Sequence, residues 1–263
     1  MAEQKQNTEI LVLESIIEKY IFAKPFRGDE AREVYKEVKK RVKKDFKNAS
    51  VFDVYFQFNE ETREINGSTT AHGILINDVL TERGLRLPTI TEAKKLDVSG
   101  RLSNGVYRDY GIAVYSENEP NKEIARELIK EANKRKWQLP ILASFKDLEL
   151  IKTGTEITFK KDAEGVITGE KARQYLNEQF NYTGNSGACG LDRSGCGCWN
   201  AGWCYLAYSG AAGRVDWMCG EATPKNLESA VLMDIGSIAK KEVEKLNDKI
   251  SSAKESAIKV LRG

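Results

Sequence analysis

Apolar positions recur along this chain in two rhythms. Ile10, Leu13, Ile17 and Ile21 repeat at helical spacing behind Thr8 as N-cap, until Lys24-Pro25 ends the pattern. A second amphipathic helix is expected over 29–47, through Val34, Val38, Val42 and Phe46. The period then shortens to two: Phe52, Val54, Phe56 and Phe58 share one face, which predicts a half-buried strand over 51–58. A helix over 73–83 should stop at Gly84, and Thr89 or Thr91 should cap a short helix reaching Leu96, because Pro88 cannot lie in a helix interior. Strand 110–115, charged helix 121–136 and strand 139–145 read as a small crossover unit, followed by a strand over 155–159 and a helix over 169–180. From Pro224 to Leu261, positions such as Leu227, Val231, Val243, Leu246 and Ile250 predict one long helix, or two broken near Gly236, packed within the chain.

With 263 residues and 41% apolar side chains, the chain can bury a substantial core. Charged residues make up 30%, yet the net charge is only +2, so the basic excess of a phosphate-binding protein is missing and no nucleic-acid partner is expected. The run Lys39, Lys40, Arg41, Lys43, Lys44 lies beside Glu33, Glu37 and Asp45 and reads as a solvated helix face. No uncharged apolar run approaches the roughly 18 residues of a membrane span, and no secretory signal is visible. The expected location is therefore cytoplasmic by default, with a host surface reachable only by non-standard export. The one histidine, His72, has no second imidazole to join it in a metal site and reads as structural.

The segment 187–220 is unlike the rest. It holds all five cysteines (Cys189, Cys196, Cys198, Cys204, Cys219) and three of the four tryptophans (Trp199, Trp203, Trp217). Lys, Glu and Gln number 60 in the chain, so about eight would be expected among these residues; none occurs. A zinc site would favour paired cysteines two to four residues apart, whereas the spacings here are six, one, five and fourteen residues. Cys196-Gly197-Cys198, if extended, sends its thiols to opposite faces. No Cys-x-x-Cys is present for redox chemistry. The remaining reading makes the cysteines individually dispensable. Alternation supports it: Trp199, Ala201 and Trp203 share one face of a strand, while Cys198, Asn200, Gly202 and Cys204 share the other.

The frame Leu191-x-Arg193, Gly197-x-Trp199-x-Ala201-x-Trp203, Leu206, Ser209 and Gly213-Arg214-Val215 resembles the variable region of archaeal diversity-generating retroelement target proteins. The resemblance implies a segment copied with errors at adenines, so that Asn codons drift to many residue types but never to Lys, Glu, Gln, Trp or Met. The three tryptophans would then be scaffold, and Met218 fixed. It also implies a C-type lectin fold related to formylglycine-generating enzymes. Arg86-Leu87-Pro88-Thr89, followed by Glu92-Ala93, resembles a helix start common in that fold.

The fold class expected is therefore α+β, C-type lectin-like, with short Trp-rich strands near the C-terminus and additional N- and C-terminal helices. The expected divisions are a helical segment over 1–50, a domain over 51–223 with its variable region at 187–220, and a helix over 224–263. The function expected is non-catalytic binding of an unknown ligand, a protein or other macromolecule, with no cofactor and no bound metal. The varied positions would be Asp192, Ser194, Cys196, Cys198, Asn200, Gly202, Cys204, Tyr205, Ala207, Tyr208 and Asp216, on a scaffold of Trp199, Trp203 and Trp217. A cysteine-dependent oxidase of the formylglycine-generating type and a zinc-stabilised interaction module are the alternatives.

Overall fold

The structure, a computed structural model, describes residues 23–102, 104–151, 156–181, 187–203, 206–215 and 217–220, together with 243, 245–247, 250 and 251. Ala23–Gly220 form one compact unit. Its elements are β1 (Ala23–Pro25), α1 (Asp29–Asp45), β2 (Gln57–Asn59), β3 (Glu64–Asn66), α2 (Thr70–Thr81), β4 (Leu85–Arg86), α3 (Ile90–Val98), β5 (Arg108–Val114), α4 (Lys122–Lys134) and β6 (Ile141–Ser144). After these come β7 (Leu148–Leu150), β8 (Ile157–Phe159), β9 (Ile167–Thr168), α5 (Gly169–Gln179), β10 (Ala188–Arg193), β11 (Trp199–Trp203), β12 (Arg214–Val215) and β13 (Trp217–Gly220). Helices and antiparallel strands are mixed, so the class is α+β. Among the described residues no helix is long and apolar enough to cross a membrane.

A five-stranded sheet in the order β11-β10-β5-β6-β9 forms the centre of the unit. Smaller sheets, β1-β13-β4, β12-β3-β2 and β7-β8, surround it. The unit's first strand pairs with its last, Ala23 opposite Cys219. One cluster of buried side chains gathers α1, α2, α4 and one face of the central sheet around Val34, Ile74, Ile112, Leu128 and Ile141. A second cluster joins α3 and α5 to the other face through Ala93, Tyr110, Leu176, Leu191 and Ala201.

Two helix starts follow from local chemistry. In α2 the Thr69 hydroxyl accepts from the His72 backbone N–H (3.2 Å), and His72 Nδ1 accepts from the Thr69 N–H (3.3 Å). This reciprocal cap begins the helix at Thr70, ahead of the position 73 expected from apolar spacing alone. Stacked on Phe56 at 4.0 Å, the His72 imidazole is pushed down to about 3, chiefly by burial and then by Lys39. It is a neutral structural group. In α3, Glu92 accepts from the Thr89 N–H (2.8 Å) and takes two guanidinium N–H groups of Arg86, each at 2.6 Å. The Arg-Leu-Pro-Thr start is thus a cap locked by a bidentate ion pair. In α1, Ala31, Val34 and Val38 are buried while the lysines of the basic run stand exposed.

Three expectations are corrected. The compact unit begins at Ala23, not residue 51, because the apolar face of α1 is part of the main cluster. The unit 110–145 is no parallel crossover: β5 and β6 pair antiparallel, Gly111 opposite Ser144, since strand direction is set by hydrogen-bonding neighbours and not by the helix between them. Residues 51–58 keep their alternating burial, yet only Gln57–Asn59 is strand, where β3 lies opposite; Ser50–Phe52 is a 3-10 turn. The second unit holds residues 1–22 and 221–263, so the helix expected from position 8 lies outside the described residues. Its described positions near residue 246 are helical, and Val243, Leu246 and Ile250 are each more than half exposed.

Candidate functional site

The central sheet presents two faces to different surroundings. In β10, Leu191 and Arg193 point one way, Leu191 into the second cluster and Arg193 to Asp97 of α3 (2.7 Å). Gly190 and Asp192 point the other way. In β5, Tyr110 and Ala113 are both buried in the second cluster, although they stand three apart. A regular strand cannot do this. A bulge supplies the extra residue: Leu191 pairs with Gly111, but Asp192 pairs with Asp109. The bulge sets Asp109 directly opposite Asp192 across two adjacent strands.

Above this pair opens a cleft of about 390 Å³. Asp109 and Asp192 line it with Tyr107, Ser194, Leu206 and Tyr208. Tyr107 and Tyr208 stand 6.3 Å apart, centroid to centroid. The Tyr107 hydroxyl ties the wall to the 206–213 loop, accepting from the Gly210 N–H (2.5 Å) and donating to the Gly210 carbonyl (3.2 Å). Both carboxyls resist ionisation. Burial, and then the neighbouring Asp192, pushes Asp109 up to about 8; burial pushes Asp192 up to about 6, against a bond from the Asn200 amide at 3.3 Å.

At the mouth, residues 194–198 form a tight turn in which the Ser194 N–H donates to the Cys198 carbonyl (2.8 Å). Gly197 adopts φ +90°, a conformation that side chains rarely tolerate. This turn overturns the expectation of opposed thiols: Cys196 and Cys198 are both exposed, with their sulfurs 3.2 Å apart. The Ser194 hydroxyl, then Cys198, lowers the Cys196 thiol to about 7, and Cys196 in turn raises Cys198. Cys189 and Cys219 are buried, and burial pushes Cys219 up to about 12. Among the described residues no group of three or more His, Cys, Asp or Glu could hold a metal ion.

The expected surface positions divide. Cys196, Cys198, Ala207 and Tyr208 are exposed; Ser194, Asn200 and Gly202 are half-buried. Asp192 is only 7% exposed, which corrects its place on an open patch: it lies in the cleft floor because β5 and β11 flank it on both sides. Cys204, Tyr205 and Asp216 lie outside the described residues, as do the side chains of the scaffold residues Trp203 and Trp217. Asp192, Ser194 and Tyr208 meet in one cleft. Two further members, Tyr107 just before β5 and Asp109 within it, were not singled out by spacing. The available signal was an Asp opening an otherwise apolar run, Tyr110 to Val114.

Trp199 is half-buried on the packed side with Ala201. It stacks on Tyr110 (5.2 Å), meets Phe180 edge-on (5.9 Å), and donates its indole N–H to Asp97 (2.8 Å). Lys94 lies over its ring at 4.3 Å. Trp199→Ala is expected to cost about 3 kcal/mol in urea denaturation, by lost packing and the lost indole hydrogen bond to Asp97, which keeps Arg193. Cys196→Ser with Cys198→Ser should change stability by no more than about 0.5 kcal/mol, as exposed positions do. Equal costs for the two variants would refute the division into scaffold and surface.

Comparison of the chain with protein families, with curated proteins and with solved structures finds no match.

Proposed function

We propose that the chain is a ligand-binding protein with a C-type lectin-like domain, whose 187–220 segment is a diversified binding surface of the retroelement kind and is not a catalytic centre. One observation carries this reading. The segment that lacks Lys, Glu and Gln folds so that Trp199 and Ala201 pack inward, while Ser194, Cys196, Cys198 and Tyr208 gather at the turn and cleft mouth. Stability and variation are thereby assigned to opposite faces of one strand pair. Substitutions in a core commonly cost about 2–5 kcal/mol and surface ones about 0.5, so such a surface could change many times on a constant fold. The closed course of the unit, first strand against last, supports the lectin-like reading.

Sequencing the gene and its surroundings across many isolates of the source population tests the proposal. The expected result is a near-copy of the 187–220 coding segment beside a reverse-transcriptase gene, with differences confined to adenines of that copy. Substitutions should fall on Ser194, Cys196, Cys198, Asn200 and Tyr208, not on Trp199. A segment that is invariant, or that varies equally at Trp199, overturns the proposal.

A further inference from the structure

Asp192 is nine-tenths buried and lines the cleft, and its Oδ1 has no hydrogen-bond partner. Buried polar atoms are nearly always paired in folded proteins, and one left open asks for an explanation. The carboxyl directly opposite, Asp109, makes the cost larger, because like charges facing each other across adjacent strands repel. Among the described residues, the arginines nearest the pair are engaged elsewhere. Arg193 is on the far face with Asp97 (2.7 Å) and Asn104 (3.1 Å). Arg108, its cross-strand partner, is buried and alternates to that same face. Arg214 donates to the carbonyls of Ala211 (2.6 Å) and Gly213 (2.8 Å) and approaches Glu64 at 3.8 Å. Lining the cleft beside the two acids are uncharged side chains, among them Thr70, Ser194, Tyr107 and Tyr208.

We infer that this cleft receives a cationic side chain of a protein partner, a lysine ammonium or arginine guanidinium, seated on Asp109 and Asp192 beside the rings of Tyr107 and Tyr208. Aromatic faces attract cations, and a guanidinium or ammonium supplies a donor for the Asp192 carboxyl, whose Oδ1 has no partner. The cleft, of about 390 Å³, has room for one long side chain, and Leu206 in its lining offers an apolar wall to an aliphatic stem. Asp109 lies outside the 187–220 segment while Asp192 lies within it, so one acid belongs to the frame and the other to the surface. The inference rests on this face being the binding surface, not on its being diversified.

The test is calorimetric and NMR titration of the full chain with n-butylguanidinium and n-butylammonium, against n-butanol as the uncharged control. Saturable binding of the cations is expected, at least about tenfold tighter than the control. Affinity should rise with pH as the carboxyls ionise, through about 6 and about 8. Asp109→Asn with Asp192→Asn should abolish cation binding while thermal unfolding stays cooperative; if that pair fails to fold, Tyr208→Ala, at the exposed rim, should weaken binding severalfold. Butanol binding as well as the cations, no saturable binding, affinity unchanged in the folded variants, or calcium or magnesium displacing the cations at the same carboxyls would each overturn the inference. Such a failure leaves the diversified-surface proposal standing, since that is decided by the gene sequences alone.

Discussion

Gly111→Ala is expected to abolish cooperative folding of the Ala23–Gly220 unit. Gly111 sits in the middle of β5 with φ +148°, and a Cβ there would lie 2.0 Å from the Ala143 carbonyl oxygen and 2.9 Å from the Ser144 Cα. Both obstructing atoms are backbone of the neighbouring β6, so no side chain can swing away. Relief would require breaking the Gly111–Ser144 pairing at the centre of the largest sheet. Backbone clash and strain of this kind cost more than about 4 kcal/mol. Urea denaturation followed by circular dichroism should show no sigmoidal transition, or one shifted to much lower denaturant. A transition like that of the parent would mean that β5 and β6 do not approach as described. The same residue borders the bulge that turns Asp109 towards the cleft, so the close approach and the site share one structural cause.

Asp109→Asn is expected to act in the opposite direction and stabilise the protein. The folded state holds the Asp109 carboxyl up at about 8, by burial and then by Asp192, whereas an unfolded chain would ionise it near 3.9. The native state therefore binds the extra proton between those values. Its stability contribution is fully present below about pH 4 and is lost progressively as pH rises through about 8. Asparagine cannot ionise and removes the loss. The gain should be near zero at pH 4, grow across the neutral range and level off above pH 8 at about 2 kcal/mol, discounted for the partial exposure of the group. Denaturation midpoints measured across that range decide the matter. A substitution that destabilises at pH 8, or one whose gain is independent of pH, would contradict an uncompensated carboxyl. A residue that costs stability and lines a cleft is in the position where folding and binding pull apart.

The legible part of this fold was local. A cap for α3 at Thr89 or Thr91, of which the structure uses Thr89, the span of α1, the helix 169–179 and the apolar strand 110–114 follow from spacing and capping chemistry that operate within a turn or two of chain. The inward face of Trp199 and Ala201 was legible for the same reason, since a strand alternates by geometry. The helix start at Thr70 was not, because a histidine took the place usually held by Glu or Gln in a reciprocal cap.

What the sequence by itself determined was that one segment differs from the rest: a stretch with no Lys, Glu or Gln, carrying three tryptophans and every cysteine. What only the tertiary structure decided was which of its residues meet. Alternation placed Asp192 on the outer face, but β5 on one side and β11 on the other closed over it and made it a cleft floor. Cys196 and Cys198 were expected to diverge, but the positive φ of Gly197 turned both thiols to one side. Asp109, some eighty residues earlier in the chain, became the partner of Asp192 through a single bulge. Periodicity reports which face a side chain occupies; strand order, register and bulges, which depend on contacts between distant segments, decide what that face looks upon.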